Sequence, residues 1–172
     1  MTETPTSRVL IIAGSDSSGG AGIQADIKTC AAFGAYSATA ITAVTAQNTM
    51  GVQQVELMPA ELVRAQIKSV LSDIGADVIK IGMLGSADII DVVAEEIEEA
   101  DAFIILDPVM VATSGDTLLE TKAIEALKTK LLPLADLVTP NVPEAELLTG
   151  LKIEDVDAVS YTHLTLPTIL LV

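Results

Sequence analysis

Tryptophan is absent, only two Phe and two Tyr are present, and the chain holds one cysteine, Cys30, and one histidine, His163. So thin an aromatic set excludes the stacking platforms on which single-stranded nucleic acids are held. A lone cysteine excludes an internal disulfide framework and suits a reducing, cytoplasmic setting, in which Cys30 reads as a small apolar core residue. Bases are also few: 9 Lys and Arg stand against 24 Asp and Glu, for a net charge of −15. Phosphate backbones and anionic surfaces are bound by clustered Lys and Arg, so neither nucleic acid nor membrane is an expected partner. Long hydrophobic runs are missing too. Residues 29–55 carry no charge, but Thr, Ser, Gln, Asn and Gly interrupt them too often for a membrane span of about 20 apolar residues. Glu3 and a short apolar run, Val9 to Ala13, do not make a secretory leader.

What is present is a chain of 172 residues, half of them hydrophobic, which is long enough to bury a sizeable core. Arg8 to Ala13 is a β-branched run that reads as a buried strand, followed by the loop Gly14-Ser-Asp-Ser-Ser-Gly-Gly20 and an Ala-rich helix over residues 21–33 that stops at Gly34. Residues 36–46 alternate as a strand, and Pro59-Ala-Glu-Leu opens a helix whose apolar positions Val63, Ile67, Val70 and Ile74 keep a helical period. Strands are expected at 77–81, 103–106 and 137–138, with helices from Ser86, over 122–132 up to Pro133, and over 143–148 up to Gly150. The acids of the Ser86 helix and its end, from Asp88 to Asp101 with no intervening base, read as a solvated face. Apolar strands alternating with helices imply a mainly parallel sheet covered on both sides, with ligands gathered at the carboxyl ends of the strands.

The segment 158–172 breaks the acidic pattern: its one ionisable imidazole is His163, and it has no acid or base otherwise. It reads as a non-native tail, like translated adapter sequence, appended to residues 1–157, which read as the N-terminal part of a larger domain. His163 is therefore not cast as a catalytic base.

Three strand-end segments carry polar groups that an apolar core would not otherwise tolerate. Gly14 to Asp26 sets backbone amides and small residues before a helix N-terminus, a geometry that receives an anion or admits a small ligand to the backbone. It is not a P-loop, because Gly20 stands where the Lys is required. Gly20-x-Gly22-x-x-Ala25 fits a dinucleotide fingerprint formally, but its first Gly lies beyond the strand end and no acid occurs between Asp26 and Glu56 to hold a ribose. Thr45-Ala-Gln47-Asn48-Thr49 offers Gln47, whose amide can read a heterocycle edge, while Asp26 can accept from an amino or hydroxyl group; taken alone, Gln-Asn at a strand end more often makes a plain turn. Asp107-Pro108, Asp116 and Thr139-Pro-Asn-Val-Pro-Glu144 add carboxylates able to hold Mg²⁺ directly or through water. Asn141 to Glu144 also fits an ordinary capping box.

Taken together, Gly14-Ser-Asp-Ser-Ser-Gly-Gly-Ala-Gly-Ile-Gln-Ala-Asp26, Ile41-Thr-Ala-Val-Thr-Ala-Gln-Asn-Thr49, Lys80-Ile-Gly-Met-Leu84, Leu106-Asp-Pro-Val-Met110 and Thr139-Pro-Asn-Val-Pro-Glu-Ala-Glu146 resemble, in order and spacing, the hydroxymethylpyrimidine/phosphomethylpyrimidine kinases of the ribokinase-like superfamily. The resemblance covers residues 8 to about 155 and implies a three-layer αβα sandwich, incomplete at its C-terminal side. It also implies ATP-dependent phosphorylation of 4-amino-5-hydroxymethyl-2-methylpyrimidine and then of its monophosphate, in thiamine diphosphate biosynthesis, by a cytoplasmic, homodimeric parent protein. Carried over by motif, Gln47 would read the pyrimidine, Asp26 would lie near the hydroxymethyl end, and Gly14, Ala21, Met83 and Met110 would line the substrate pocket. Asp107 and Glu144 would organise Mg²⁺ and its waters, with Asn141 beside the phosphates.

Two departures qualify what is implied. Thr113 stands where many members have Lys, and the chain lacks the Gly-Thr-Gly loop that supplies the family's anion hole. Since phosphoryl transfer rests on positioning and charge stabilisation, the expectation is a kinase parent and an inactive or nearly inactive 172-residue chain, marginal in stability because later strands would otherwise cover its sheet. Two alternatives are a pyridoxal or pyridoxine kinase of the same superfamily and a non-catalytic ligand-binding fragment.

Overall fold

The computed structural model describes residues 6–110 and 121–154. Strand β1 (Arg8–Asp16) carries the buried run Leu10 to Ala13 and leads through the glycine-rich turn into helix α1 (Gly22–Ala32). Strand β2 (Tyr36–Asn48) follows and folds back into β3 (Gly51–Leu57). Helix α2 (Ala60–Asp73), β4 (Val78–Ile81), α3 (Ala87–Ile97) and β5 (Phe103–Leu106) come next. Helix α4 (Thr121–Ala126) runs on as a π turn over Leu127–Leu131 and a 3-10 turn over Leu132–Leu134, before β6 (Leu137–Val138) and α5 (Val142–Thr149).

The six strands form one sheet in the order β3-β2-β1-β4-β5-β6, antiparallel at β3 and parallel elsewhere. The α/β architecture expected from the alternating pattern is present. Two elements differ from expectation. β3 is not signalled in the sequence because Gln53, Gln54 and Glu56 are exposed and the strand is held by backbone pairing to β2 rather than by an apolar face. The helix expected over 122–132 is interrupted by the π turn, within which Leu127 and Leu131 are both buried.

One sheet face is thickly covered. Leu10, Ile12, Ile79, Ile81, Ile104 and Leu106 pack there against Val63 and Ile67 of α2, Ile89, Ile90, Val93 and Ile97 of α3, and the leucines that follow α4. Each such side chain contributes about 1.5–3 kcal/mol by leaving water, so this cluster is the main source of stability. On the opposite face Ile11 and Ala13 pack with Ile23 of α1, and Cys30 joins the edge of the cluster as a small apolar group. That face thins toward β5 and β6, where Phe103 and Leu137 are about half exposed (49% and 46%).

The acidic face of α3 is partly neutralised from elsewhere in the fold. Arg64 of α2 reaches Glu95 and Glu96 as well as Glu61, and Lys130 pairs with Asp91. Among the described residues no helix is long and apolar enough to cross a membrane. Since the chain runs outward from β1 to β2 and then returns to the other side of β1 as β4, the topological switch lies at β1, where a parallel sheet opens a crevice beyond its carboxyl ends.

Candidate functional site

The crevice at that switch is a cavity of about 590 Å³ whose wall includes Gly14 and Ala21, Asp26, Gln47, Met83 and Asp107. Backbone hydrogen bonds that continue past the strand ends set these segments side by side: Gly82 N–H donates to Ile12 O at 2.9 Å and Asp107 N–H to Ile81 O at 2.8 Å.

The glycine-rich turn is built around a carboxylate that sequence reasoning did not single out. Asp16 is 3% exposed and accepts from the Ser18 N–H and hydroxyl, from Gly20 N–H at 2.9 Å and from Ala21 N–H at 2.8 Å. Burial alone would push its carboxyl up, but the Ser18, Ala21 and Gly20 donors outweigh it and hold the group below the ordinary carboxylate range. Gln24 of α1 locks the turn from inside, donating to Ser15 Oγ at 2.7 Å and accepting from Asp16 N–H at 2.8 Å. The turn can lie this close only because of Gly22. Its φ is +56°, and a Cβ there would overlap the Gly14 carbonyl.

Gln47 is tied to the same turn through its backbone: its N–H donates to Ser17 Oγ at 2.8 Å and its carbonyl accepts from that hydroxyl at 3.0 Å. Its side-chain oxygen accepts from Thr45 Oγ1 at 3.2 Å, while among the described residues its amide nitrogen makes no hydrogen bond, leaving donors for a heterocycle edge. Asp26, on α1, lies 3.0 Å from Lys80 Nζ, and the same ammonium is 3.4 Å from Asp107. Lys80 is the second functional residue the sequence reading missed, although a single charge inside Asp77-Val-Ile-Lys-Ile81 signals a partnered group, since lysine is almost never buried alone.

Five of the six expected pocket residues therefore share one cavity, and Met110 does not. Its side chain is fully buried in the core, and the neighbouring Val109 lines the cavity instead. Asn141 and Glu144 also lie off the cavity wall, in the capping box of α5: Glu144 N–H donates to Asn141 Oδ1 and Asn141 N–H to Glu144 Oε2, each at 2.9 Å. Glu144 is 4% exposed. Burial pushes its carboxyl above the ordinary value; the Asn141 and Met110 amide hydrogens pull it back, and the negative charge of Asp107 pushes the same way as burial. Among the described residues no three His, Cys, Asp or Glu side chains form a metal cluster. Two mutually repelling carboxylates, Asp107 at the cavity and Glu144 behind it, instead fit Mg²⁺ in its usual form, held by one or two carboxylates and otherwise by water and phosphate. Thr113, Asp116, His163 and the segment 158–172 lie outside the described residues.

The chain matches the family model described as phosphomethylpyrimidine kinase over residues 16–168. It is 52% identical over 149 residues to a hydroxymethylpyrimidine/phosphomethylpyrimidine kinase of Haemophilus influenzae, covering 86% of this chain and 55% of that protein. To the protein of that name in Streptomyces coelicolor it is 50% identical over 147 residues, with the same two coverages of 86% and 55%. The chain thus spans about half the length of these curated relatives. Among solved structures, phosphomethylpyrimidine kinase from Clostridium difficile 630 superposes with a TM-score of 0.86 at 46% identity, over 92% of this chain and 69% of the other. A pyridoxal kinase from Staphylococcus aureus in complex with AMP-PCP and pyridoxal gives 0.84 at 36% identity, over 95% and 59%.

Proposed function

The chain belongs to the phosphomethylpyrimidine kinase family, and from that premise we propose that the whole protein transfers a phosphoryl group from ATP to the hydroxymethyl oxygen of 4-amino-5-hydroxymethyl-2-methylpyrimidine, and then a second to the monophosphate, toward thiamine diphosphate. The observation that carries this reading is the gathering of Gln47, Asp26, Gly14, Ala21 and Met83 on one cavity wall at the carboxyl end of the sheet. There the Gln47 amide would pair with the amino-pyrimidine edge, with Gly14, Ala21 and Met83 against the ring. Asp26 would accept the hydroxymethyl proton's hydrogen bond and orient the oxygen for attack. ATP supplies the phosphoryl group and Mg²⁺ offsets charge on its oxygens when bound. Asp107, with Glu144 behind it, would hold the ion's water shell, and Asn141 would stand beside the phosphates.

The described residues build the acceptor side of such a site more fully than the phosphate side, so we assign the 172-residue chain binding of the pyrimidine with little turnover. A second reading, phosphorylation of pyridoxal or pyridoxine, has the support of the pyridoxal kinase structures at 36–37% identity. The pyrimidine is favoured by the higher identity, 50–52%, of the curated pyrimidine kinases.

Calorimetric titration of the hydroxymethylpyrimidine and of pyridoxal into the chain and its Gln47→Met variant tests the binding, with ADP release measured alongside. Tighter binding of the pyrimidine, lost in the variant, is expected. Preference for pyridoxal, or binding that ignores Gln47, would overturn the assignment, and ADP release at the rate of an intact relative would overturn the statement on turnover.

A further inference from the structure

Among the described residues lining the cavity, Lys80 is the one basic side chain, and it shares that wall with the carboxylates of Asp16, Asp26 and Asp107. The three acids are not equivalent. Asp16 has its oxygens engaged by the N–H and hydroxyl donors of its own turn, whereas Asp26 and Asp107 meet the Lys80 ammonium at 3.0 and 3.4 Å. Lys80 lies in the middle of β4, in register with Ile11 of β1 and Ile105 of β5, so its stem runs along an apolar row and only its head reaches the cleft. Gly82 leaves space for that head. A Cβ at position 82 would come within 3.2 Å of Lys80 Nζ and 3.1 Å of the Ala13 methyl.

We propose that Lys80 is a positioning residue that holds Asp26 and Asp107 on one ammonium and makes this carboxylate-lined cleft able to admit an anionic phosphorylated acceptor. The inference rests on the kinase reading for the identity of that acceptor. Its physical basis is charge. A phosphate monoester carries close to two negative charges at neutral pH, the chain carries −15, and two unpaired carboxylates at the cavity would repel it further. In a partly desolvated cleft, unit charges a few ångströms apart interact several-fold more strongly than in bulk water. With Lys80 between them, Asp26 and Asp107 are held apart from each other's repulsion, and Asp26 stays aimed at the acceptor alcohol.

Removing the charge must then move two affinities in opposite directions. In Lys80→Met, binding of the pyrimidine monophosphate falls on the order of tenfold or more, and binding of the neutral alcohol changes much less. Mn²⁺ should bind more tightly, because two carboxylates have lost their counter-charge; paramagnetic broadening of the Gly14 and Gly82 amide signals reads this locally, apart from acids elsewhere. Lys80→Arg should restore the wild-type order of both. A merely structural role would weaken all three together, so equal or weaker Mn²⁺ broadening in the Met variant overturns the proposal, as does undiminished monophosphate binding. If the wild-type chain binds neither pyrimidine, the assignment of pyrimidine binding to this chain fails and the Mn²⁺ result alone decides the role of Lys80. If the Met variant does not fold, the wild type still decides it. Added salt should weaken monophosphate binding if Lys80 attracts the phosphate, and strengthen it if only the overall negative charge is felt.

Discussion

Thr42, fully buried in β2, donates a 2.6 Å hydrogen bond from Oγ1 to the carbonyl of Met83 in the segment after β4. This bond spans β1, which lies between the two strands, and pins the residue that forms one wall of the cavity. Thr42→Val keeps the shape and removes the donor, leaving the Met83 carbonyl without its partner. The expected loss is about 1–3 kcal/mol, seen as a lower urea midpoint, with weakening of the proposed pyrimidine binding because the Met83 wall is no longer fixed. Thr42→Ser should retain most of both. A Val variant with unchanged binding would show that Met83 is held by packing alone.

Asp16→Asn tests whether the glycine-rich turn depends on a charged acceptor. Oδ2 of Asp16 accepts from both Gly20 N–H and Ala21 N–H, and an amide nitrogen in its place would face two donors. Removing hydrogen bonds to a buried charged group costs about 1.5–3 kcal/mol, and the ligand wall at Ala21 should loosen with it. The sign with pH follows from the lowered folded value of Asp16. Its contribution is present above the ordinary value of 3.8 and is lost as pH falls through the lower folded value. The gap between wild type and variant in thermal midpoint should therefore be widest near neutral pH and close in acid; a gap that widens on acidification would contradict the assignment.

The helical periods and β-branched runs made most of the sheet and its covering helices legible, because burial against a neighbour demands those patterns. β3 escaped because its order comes from β2's free edge, which no local pattern encodes. Asp16 and Lys80 stand inside quoted motifs, yet their roles depend on contacts across the fold: Asp16 on the turn closing over it, and Lys80 on Asp26 lying 54 residues away in sequence. The choice of Val109 over Met110 as a cavity residue is set by how the chain turns after Pro108. Spacing alone does not determine that direction.

Gly22→Ala separates backbone geometry from side-chain chemistry at the site. The substitution adds one methyl group to a residue at φ +56°, directly against the Gly14 carbonyl, and strain of this kind costs about 1–3 kcal/mol. The first turn of α1 must move away from β1, carrying Ala21 and Asp26 with it. The proposed pyrimidine binding should fall by more than the stability loss explains, whereas Gly34→Ala, at a helix end with nothing within 4 Å of the added atom, should lower stability alone. Crystal structures or amide shifts of the two variants check the displacement; equal effects on binding would deny Gly22 a special place.

Arg8 and Asp77 provide a second acid-sensitive clasp, far from the cavity's chemistry. Arg8 Nη2 lies 2.6 Å from Asp77 Oδ1, its Nε and backbone N–H donate to Oδ2 at 3.2 and 2.7 Å, and Nη1 donates to the carbonyl of Ile74 at 2.6 Å. The pair thus joins the start of β1 to the end of α2 and the approach to β4. The side-chain hydrogen bond from Arg8, aided by its backbone N–H, lowers the Asp77 carboxyl to about 2. A depressed carboxyl contributes stability above its ordinary value of 3.8 that is lost as pH falls from 3.8 toward about 2. Arg8→Gln removes the partner, so the variant should be less stable than wild type at neutral pH and lose less on passing through that window. Both side chains are nearly half exposed, 44% and 45%, so part of the gap should vanish at high salt; the hydrogen bond to Ile74 should leave a remainder that salt does not remove. Urea midpoints for the two proteins across that pH range, at low and high salt, check each expectation, and a gap that is constant with pH would assign the clasp to the Ile74 hydrogen bond and packing of the Arg8 stem rather than to Asp77.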